Sequence, residues 1–472
     1  MMRSRLLALA LASVALPAAA QPTARPLASA AKLVDFDYYK LDNGLKVVLS
    51  RDTSAPLVTV SVYYGIGFRV EPRERTGFAH LFEHLMFQGS ANAPKGTLIG
   101  TVTNSGGLIN GSTRFDFTNY FEAVPSSALE RMLWLDADRM ARPVINDEAL
   151  KNQQGVVANE VKVNVLNRPY GSWPWIDLPM LANTNWYNAH NFYGDLKELE
   201  AATVPEAKQF FADFYRPNNA VLLVAGDFDP AKTKAMIAKY FGPIPKGAPV
   251  VLPDLSEPRQ TEARFKSRLD PLAPKPGYAI GYRVPPRGTP EWYAFGLLDQ
   301  ILVQGEDSRL YRKLTKETKI TGDLAGGIND LGNMYNYRGP MLWNAYFTHD
   351  ANRTRAEIDQ AVGEVIEEVR ANPIPVDEIA RARTKVRSYL YDQIGAPAHI
   401  GRVDLLASYA LFDDDPGGVN RIEAGFAKVT PTLIQKVARE YLRPEARSTY
   451  LIEAGAGRPP AAPPAASGGD AK

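Results

Sequence analysis

The stretch from Ile66 to Gly89 reads "IGFRVEPRERTGFAHLFEHLMFQG", and its opening eight residues return far down the chain. "IGFRVEPR" (Ile66–Arg73) is answered by "IGYRVPPR" (Ile280–Arg287), and "FYRPNNAVLLVAGDF" (Phe214–Phe228) by "YLRPEARSTYLIEAG" (Tyr441–Gly455). Two matches in the same order and at similar separation predict an internal duplication with a period of about two hundred residues. A chain of 472 residues is too long for one ordinary core, so two homologous domains also suit its length.

Beyond these eight residues the two copies part. The first runs on into "GFAHLFEHLMFQG", the second into "EWYAFGLLDQILVQG". Phe78, Leu81, Phe82 and Leu85 recur at helical spacing between Gly77 and Gly89, which predicts a helix. That helix carries two of the five histidines, His80 and His84, four residues apart. Such a pair shares one helix face and can aim both imidazoles at one ion. Glu83 lies beside that face, placed to act as a general base, and H-x-x-E-H is the reversed order of the H-E-x-x-H zinc signature. The second copy has no histidine here and only Asp299 as a nearby acid, so the fold itself does not require the pair. A hydrolytic zinc takes three protein ligands and keeps one position for water, so two imidazoles leave it one acid short. His190, His349 and His399 have no partner at ligand spacing and read as structural.

Outward from the motif, strands and helices mix in an α+β manner. Asn43-Gly44 predicts a hairpin, and "PLVTVSVYYGIGF" (Pro56–Phe68) is β-rich. "GGLINGSTRFDFTNYFEAV" (Gly106–Val124) reads as one strand. "SSALERMLWLDADRMA" (Ser126–Ala141) and "DEALKNQQGVVANEVKVNVLN" (Asp147–Asn167) read as helices, with Ser126 or Ser127 and Asp147 as N-caps. Residues 207–245 read as helix, strand, helix. The expected organisation is a first domain over 34–245, a Pro- and charge-rich linker over 246–272, a second domain over 273–456 and a disordered Pro/Ala-rich tail over 457–472.

"MMRSRLLALALASVALPAAA" (Met1–Ala20) has the basic, apolar and small-residue regions of a secretory signal peptide, with cleavage near Ala20 and a flexible segment over 21–33. Its apolar core is short for a bilayer, and no later segment approaches spanning length, so stable membrane insertion is not expected. Cysteine is absent, so stability rests on packing and any zinc must take His, Asp or Glu. A net charge of +2 offers no basic field for nucleic acid.

The chain resembles the inverted-motif zinc peptidases that include pitrilysin, insulin-degrading enzyme and the mitochondrial processing peptidase. "LDNGLKVVL", H-x-x-E-H, "GGLINGSTRFDFTNYF", "LDADRM", "GVVANEVK" and "FYRPNNAVLLVAGDF" occur in the family's order across nearly the whole mature chain. The resemblance implies Zn2+ held by His80, His84 and Glu160, with Glu83 as the base. It implies peptide substrates added as a strand to an edge at Gly106–Thr113, with Gly107, Asn110, Gly111 and Thr113 as contacts. Two α/β sandwich domains would form half of a clamshell chamber, exported to a bacterial periplasm. Two departures stand out. Many members carry an acid where this chain has Gln153, which would change the support of the metal ligands. Active members also carry an Arg and a Tyr where Thr315 and Gly322 stand here, and Arg309 and Tyr311 are wrongly spaced to replace them. A heterodimer whose homologous partner supplies that pair is therefore expected, with a homodimer as the other possibility. The alternative function is a non-catalytic, peptide-binding or structural subunit of a larger assembly.

Overall fold

The structure, a computed structural model, describes residues 32–455. The stretches read as a signal peptide and as a tail, and all but the end of the one read as a flexible segment, lie outside the described residues. The described residues build two mixed sheets. The first has six strands: β1 (Asp37–Lys40), β2 (Lys46–Arg51), β3 (Leu57–Tyr64), β4 (Leu108–Thr113), β5 (Thr118–Pro125) and β6 (Ala220–Gly226), in the order β1-β2-β6-β3-β5-β4. The second has five: β7 (Arg264–Asp270), β8 (Gly277–Arg283), β9 (Ala325–Ile328), β10 (Leu342–Thr348) and β11 (Ser448–Ala454), in the order β7-β11-β8-β10-β9. Leaving out β1, the sheets match strand for strand. Each has one parallel pair, β2 with β6 and β7 with β11, and antiparallel pairs elsewhere. The fold is α+β and duplicated.

One textual repeat marks this duplication in register and the other does not. Pro217 and Pro444 each open a 3-10 turn ahead of β6 and β11. Four residues after each, Val221 pairs with Tyr63 and Ser448 with Gly281. Gly281 thus occupies the place of Tyr63, whereas matching "IGYR" to "IGFR" sets it against Gly67. The text match slips because both strings end an apolar run: "IGYR" lies inside β8, while "IGFR" begins after β3 has ended.

Four helices of the first half surround the motif: α1 (Phe78–Leu85), α2 (Thr97–Asn104), α3 (Leu129–Ala141) and α4 (Asp147–Val161). α1 and α3 pack on β3, β4 and β5. Neighbouring residues on β3 face opposite ways. Tyr64 meets Tyr120, whose hydroxyl donates to Phe82 O of α1 at 3.1 Å, while the Tyr63 hydroxyl donates to Asp404 at 3.2 Å. Asp404 belongs to the second-half helix Ile400–Asp413, which lies across β2, β3 and β6. With both faces covered, the β6 run "AVLLVAG" is buried throughout. The favour is returned on the second sheet: the first-half helix Asp177–Ala182 lies on β7, β8 and β11, where Trp173, Leu178 and Ala182 pack against Ala279, Leu342, Tyr450 and Ile452. Each half lends a helix to the other's sheet.

A buried ion pair adds to this bond. Arg69 Nη1 stands 3.2 Å from Asp116, its Nη2 donates to Pro340 O at 2.7 Å, and Asp116 also accepts from Arg338 N at 2.7 Å.

Several local expectations change. Gly106–Val124 is a hairpin of β4 and β5, because Arg114–Phe117 turns back on itself (Arg114 N to Phe117 O, 2.8 Å) without a Gly or Pro to signal it. The segment read as a linker contains β7, an edge strand whose polar alternation resembles a loop. Asn146, not Asp147, caps α4, accepting from Ala149 N at 2.9 Å. Neither Ser126 nor Ser127 caps α3; they form a 3-10 turn leading into it.

Candidate metal centre

α1 begins at Gly77, whose φ of +82° favours glycine and where a Cβ would stand 2.5 Å from Tyr193 O. The loop that crosses here needs a glycine too: Gly194 has φ +70°, and a Cβ would meet Thr76 C at 2.3 Å. No side chain at the N-cap position serves the first turn. The Glu71 carboxylate does so instead, accepting from Gly77 N at 2.8 Å and Ala79 N at 2.5 Å.

From that start, the four-residue spacing puts His80 and His84 on one face, ring centroids 4.8 Å apart. α4 runs beside α1 and brings Glu160 between them: Oε1 lies 3.6 Å from His80 Nε2, and Oε2 lies 3.3 Å from His84 Nε2. One ligand atom from each of the three lies within 4.8 Å of the others. Just past Glu160, α4 widens into a π-helical turn over Lys162–Leu166, a device common at functional sites. Among the described residues, no other three His, Asp or Glu side chains come close enough to share an ion.

Burial, aided by the neighbouring His84, pushes His80 down to about 4, so its imidazole is neutral and has a lone pair for a metal near neutral pH. Burial alone would raise the Glu160 carboxyl, but His84, His80 and the Tyr193 hydroxyl hold it below the ordinary range. The donor set, two imidazoles and an ionised carboxylate, fits Zn2+. His80 faces Glu160 through Nε2, and its Nδ1 is buried without a hydrogen-bond partner.

Glu83 belongs to the same turn as the two histidines but is not one of the three grouped side chains. Its Oε2 accepts from Thr113 Oγ1 at 2.8 Å. Burial raises its carboxyl, and the Thr113 bond only partly offsets this. A carboxylate that is easy to protonate beside a metal group suits proton transfer.

β4 ends the first sheet, with one backbone edge unpaired among the described strands. Thr113 and Gly111 border Glu83; a Cβ on Gly111 would stand 3.2 Å from Glu83 Cγ. Asn110 is exposed and accepts from Gly111 N at 2.9 Å, while Gly107 packs against Ala123 O, where a Cβ would come within 2.5 Å. Gln153 is buried and donates to Asn152 Oδ1 at 2.6 Å. Arg309 is held by Glu378 at 2.6 Å and Glu368 at 3.3 Å, and the Thr315 hydroxyl donates to Tyr311 O at 2.6 Å. Gly322 lines a cleft of about 840 Å3 with Asn164, Tyr170, Trp173, Trp175 and Lys319.

Two features escaped sequence reasoning: Tyr193, whose hydroxyl donates to Glu160 Oε1 at 3.0 Å, and Glu71 at the helix head. Both come from loops, where no spacing rule marks them. His349 and His399 stand apart from the group. His349 Nδ1 meets Asp350 O at 3.0 Å, and His399 Nδ1 lies 3.9 Å from Asp52.

A family profile described as Insulinase (Peptidase family M16) matches residues 46–169, and one described as Peptidase M16 inactive domain matches residues 201–386. The chain belongs to peptidase family M16. Among its M16 relatives, the zinc protease PqqE of Helicobacter pylori is 24% identical over 425 residues, 88% of this chain and 91% of that protein. The mitochondrial-processing peptidase subunit beta of Saccharomyces cerevisiae is 22% identical over 364 residues, 74% of this chain and 77% of that one. A crystal structure of a protease from Helicobacter pylori superposes with a TM-score of 0.82 at 23% identity, covering 89% of this chain and 100% of the other. At that identity the superposition speaks for the shared M16 fold. The second profile spans most of the half that lacks the metal group.

Proposed function

We propose that this M16 chain is a zinc-dependent endopeptidase acting on unfolded peptides. The observation that carries the reading is the group of His80, His84 and Glu160 with Glu83, a half-buried carboxyl of raised proton affinity, on the same helical turn. His80, His84 and Glu160 would hold the zinc ion, which when bound would supply Lewis acidity and make a water acidic near neutral pH. Glu83 takes the proton of the attacking water and delivers it to the leaving amine; Thr113 keeps its carboxylate turned toward that task. Tyr193 holds Glu160 in its ligating orientation. The free edge of β4 receives the peptide main chain as an added strand, which suits extended substrates of varied sequence. In this reading Gly111 and Thr113 border the reacting bond, and Gly107 and Asn110 continue the same edge.

The chain works, in this proposal, after export to the periplasm and as one subunit of a pair, since Thr315 and Gly322 cannot donate as Arg and Tyr do. A subunit-named relative supports pairing. A second reading, a non-catalytic peptide-binding subunit, is favoured by the inactive-domain description that fits residues 201–386. Hydrolysis of a quenched fluorescent peptide, with Glu83→Gln as control, separates the two. Cleavage that requires Glu83, by this chain alone or with a homologous partner, supports the peptidase; silence in both settings, with zinc bound, supports the binding subunit.

A further inference from the structure

His190 stands at the head of α1, away from the ligand group. Its Nε2 lies 2.7 Å from Phe68 O and its Nδ1 lies 3.0 Å from Trp186 O. Carbonyl oxygens only accept, so both ring nitrogens must donate; a neutral imidazole has one N–H and an imidazolium has two. The ring lies flat on Trp186, centroids 4.3 Å apart and planes 7° apart, and edge-on to Phe68 at 5.6 Å. An aromatic face is a favourable seat for a cation. The matching anion is present: Glu71 Oε2 is 3.8 Å from His190 Nε2, and the Glu71 side chain is 0% exposed. Arg73, 5.3 Å above the Trp186 and Tyr187 rings, is the other charged group of this cluster.

We propose that His190 is a positioning residue for the metal helix. As a doubly donating, charged imidazole it neutralises Glu71, so that the carboxylate stays ionised and grips the Gly77 and Ala79 N–H groups. The residue after Ala79 is His80, so this grip sets the register in which His80 and His84 face Glu160. The inference rests on reading those three as metal ligands. It assigns a histidine with no ligand spacing to the electrostatics of the site.

Three measurements test it. Zinc affinity of folded protein, by competition with a chromophoric chelator, is expected to fall about tenfold or more in His190→Gln with the circular dichroism spectrum unchanged. Adding Glu71→Gln to that variant removes the stranded charge and is expected to restore most of the affinity, which a merely space-filling histidine would not allow. Ring 15N shifts of the zinc-free wild type at neutral pH, assigned by comparison with the variant, are expected to show both His190 nitrogens protonated. Unchanged affinity in His190→Gln, no recovery in the double variant, or a single-proton ring signature overturns the proposal. If the variant does not fold, site-selective histidine labelling of the wild type supplies the assignment and the 15N shifts decide. A wild type that takes no zinc overturns the metal reading and the proposal with it. A wild type that takes zinc but cleaves nothing overturns the peptidase reading alone, and the affinities still decide on His190.

Discussion

Glu83 and Asp299 answer the same structural question differently. Aligned on the Gln-Gly that closes each run (Gln88-Gly89, Gln304-Gly305), Asp299 takes the place of Glu83, while Gly296 and Gln300 take those of His80 and His84. Asp299 is buried, accepting from Trp343 Nε1 at 2.9 Å and Gln304 Nε2 at 3.2 Å, and burial lifts it to about 6 from an ordinary 3.8. The folded state therefore holds its proton more tightly than the unfolded chain. Stability from this group is full below about pH 4 and is lost as pH rises through about 6. Asp299→Asn should raise stability by about 2 kcal/mol at pH 7.5 and flatten the pH dependence of Tm between about pH 4 and 7; an unaltered slope would place the charge elsewhere. Asp330, also lifted to about 6 by burial, adds a similar component that the variant leaves in place. On the other copy, Glu83→Gln should keep zinc while cutting turnover by about 10²–10⁴-fold, measured as kcat with the metal content checked. Glu160→Gln should instead cost zinc itself. His80, Glu83 and His84 were legible because helical geometry converts four-residue spacing into a shared face. Glu160, 76 positions beyond His84, has no local rule and was reached only through resemblance. Tyr193 and Glu71 act from loops and left no trace in periodicity.

At the level of elements, the head of α1 sets the precision of the site. Gly77 has a left-handed φ and no room for a side chain, so Gly77→Ala should destabilise the protein by about 1–3 kcal/mol and weaken zinc retention together. Asn146→Ala removes the cap of the helix bearing Glu160 and should cost about 1 kcal/mol in urea denaturation, with less effect on metal because Glu160 lies near the far end. α1, α3 and α4 are legible in the sequence, since each shows an apolar face, whereas α2 and the second-half helices, Ile400–Asp413 among them, were not read from it. Strand boundaries were read less well. The β4–β5 turn contains Phe115 and Asp116, residues kept for packing against Phe68 and pairing with Arg69, so its composition follows the tertiary contacts and gives no turn signal. β7 leaves Phe265 and Leu269 exposed at a sheet edge and so lacks the buried alternation that marks a strand.

For the whole molecule, the duplication was correctly inferred although one of the two strings that suggested it is out of structural register. The repeat survives in strand order and pairing sense, properties that many sequences satisfy. Arg69 and Asp116 bridge the halves at nearly full burial, so Arg69→Ala should cost about 3–5 kcal/mol by leaving Asp116 without its counter-charge. Calorimetry of the intact chain should show one transition spanning both sheets, not two; separate transitions would mean that the borrowed helices contribute little. The exchange of helices also bears on how the chain can be divided. A piece ending at residue 245 keeps the metal ligands but loses the Ile400–Asp413 helix, baring one face of β2, β3 and β6. The complementary piece would lack Asp177–Ala182 and bare its own sheet. Neither piece should be soluble when made by itself. Made together, they present matching vacancies, and reconstitution from two nicked fragments becomes a natural property of the architecture: a cut in the 246–263 connection should leave an assembly that still binds zinc.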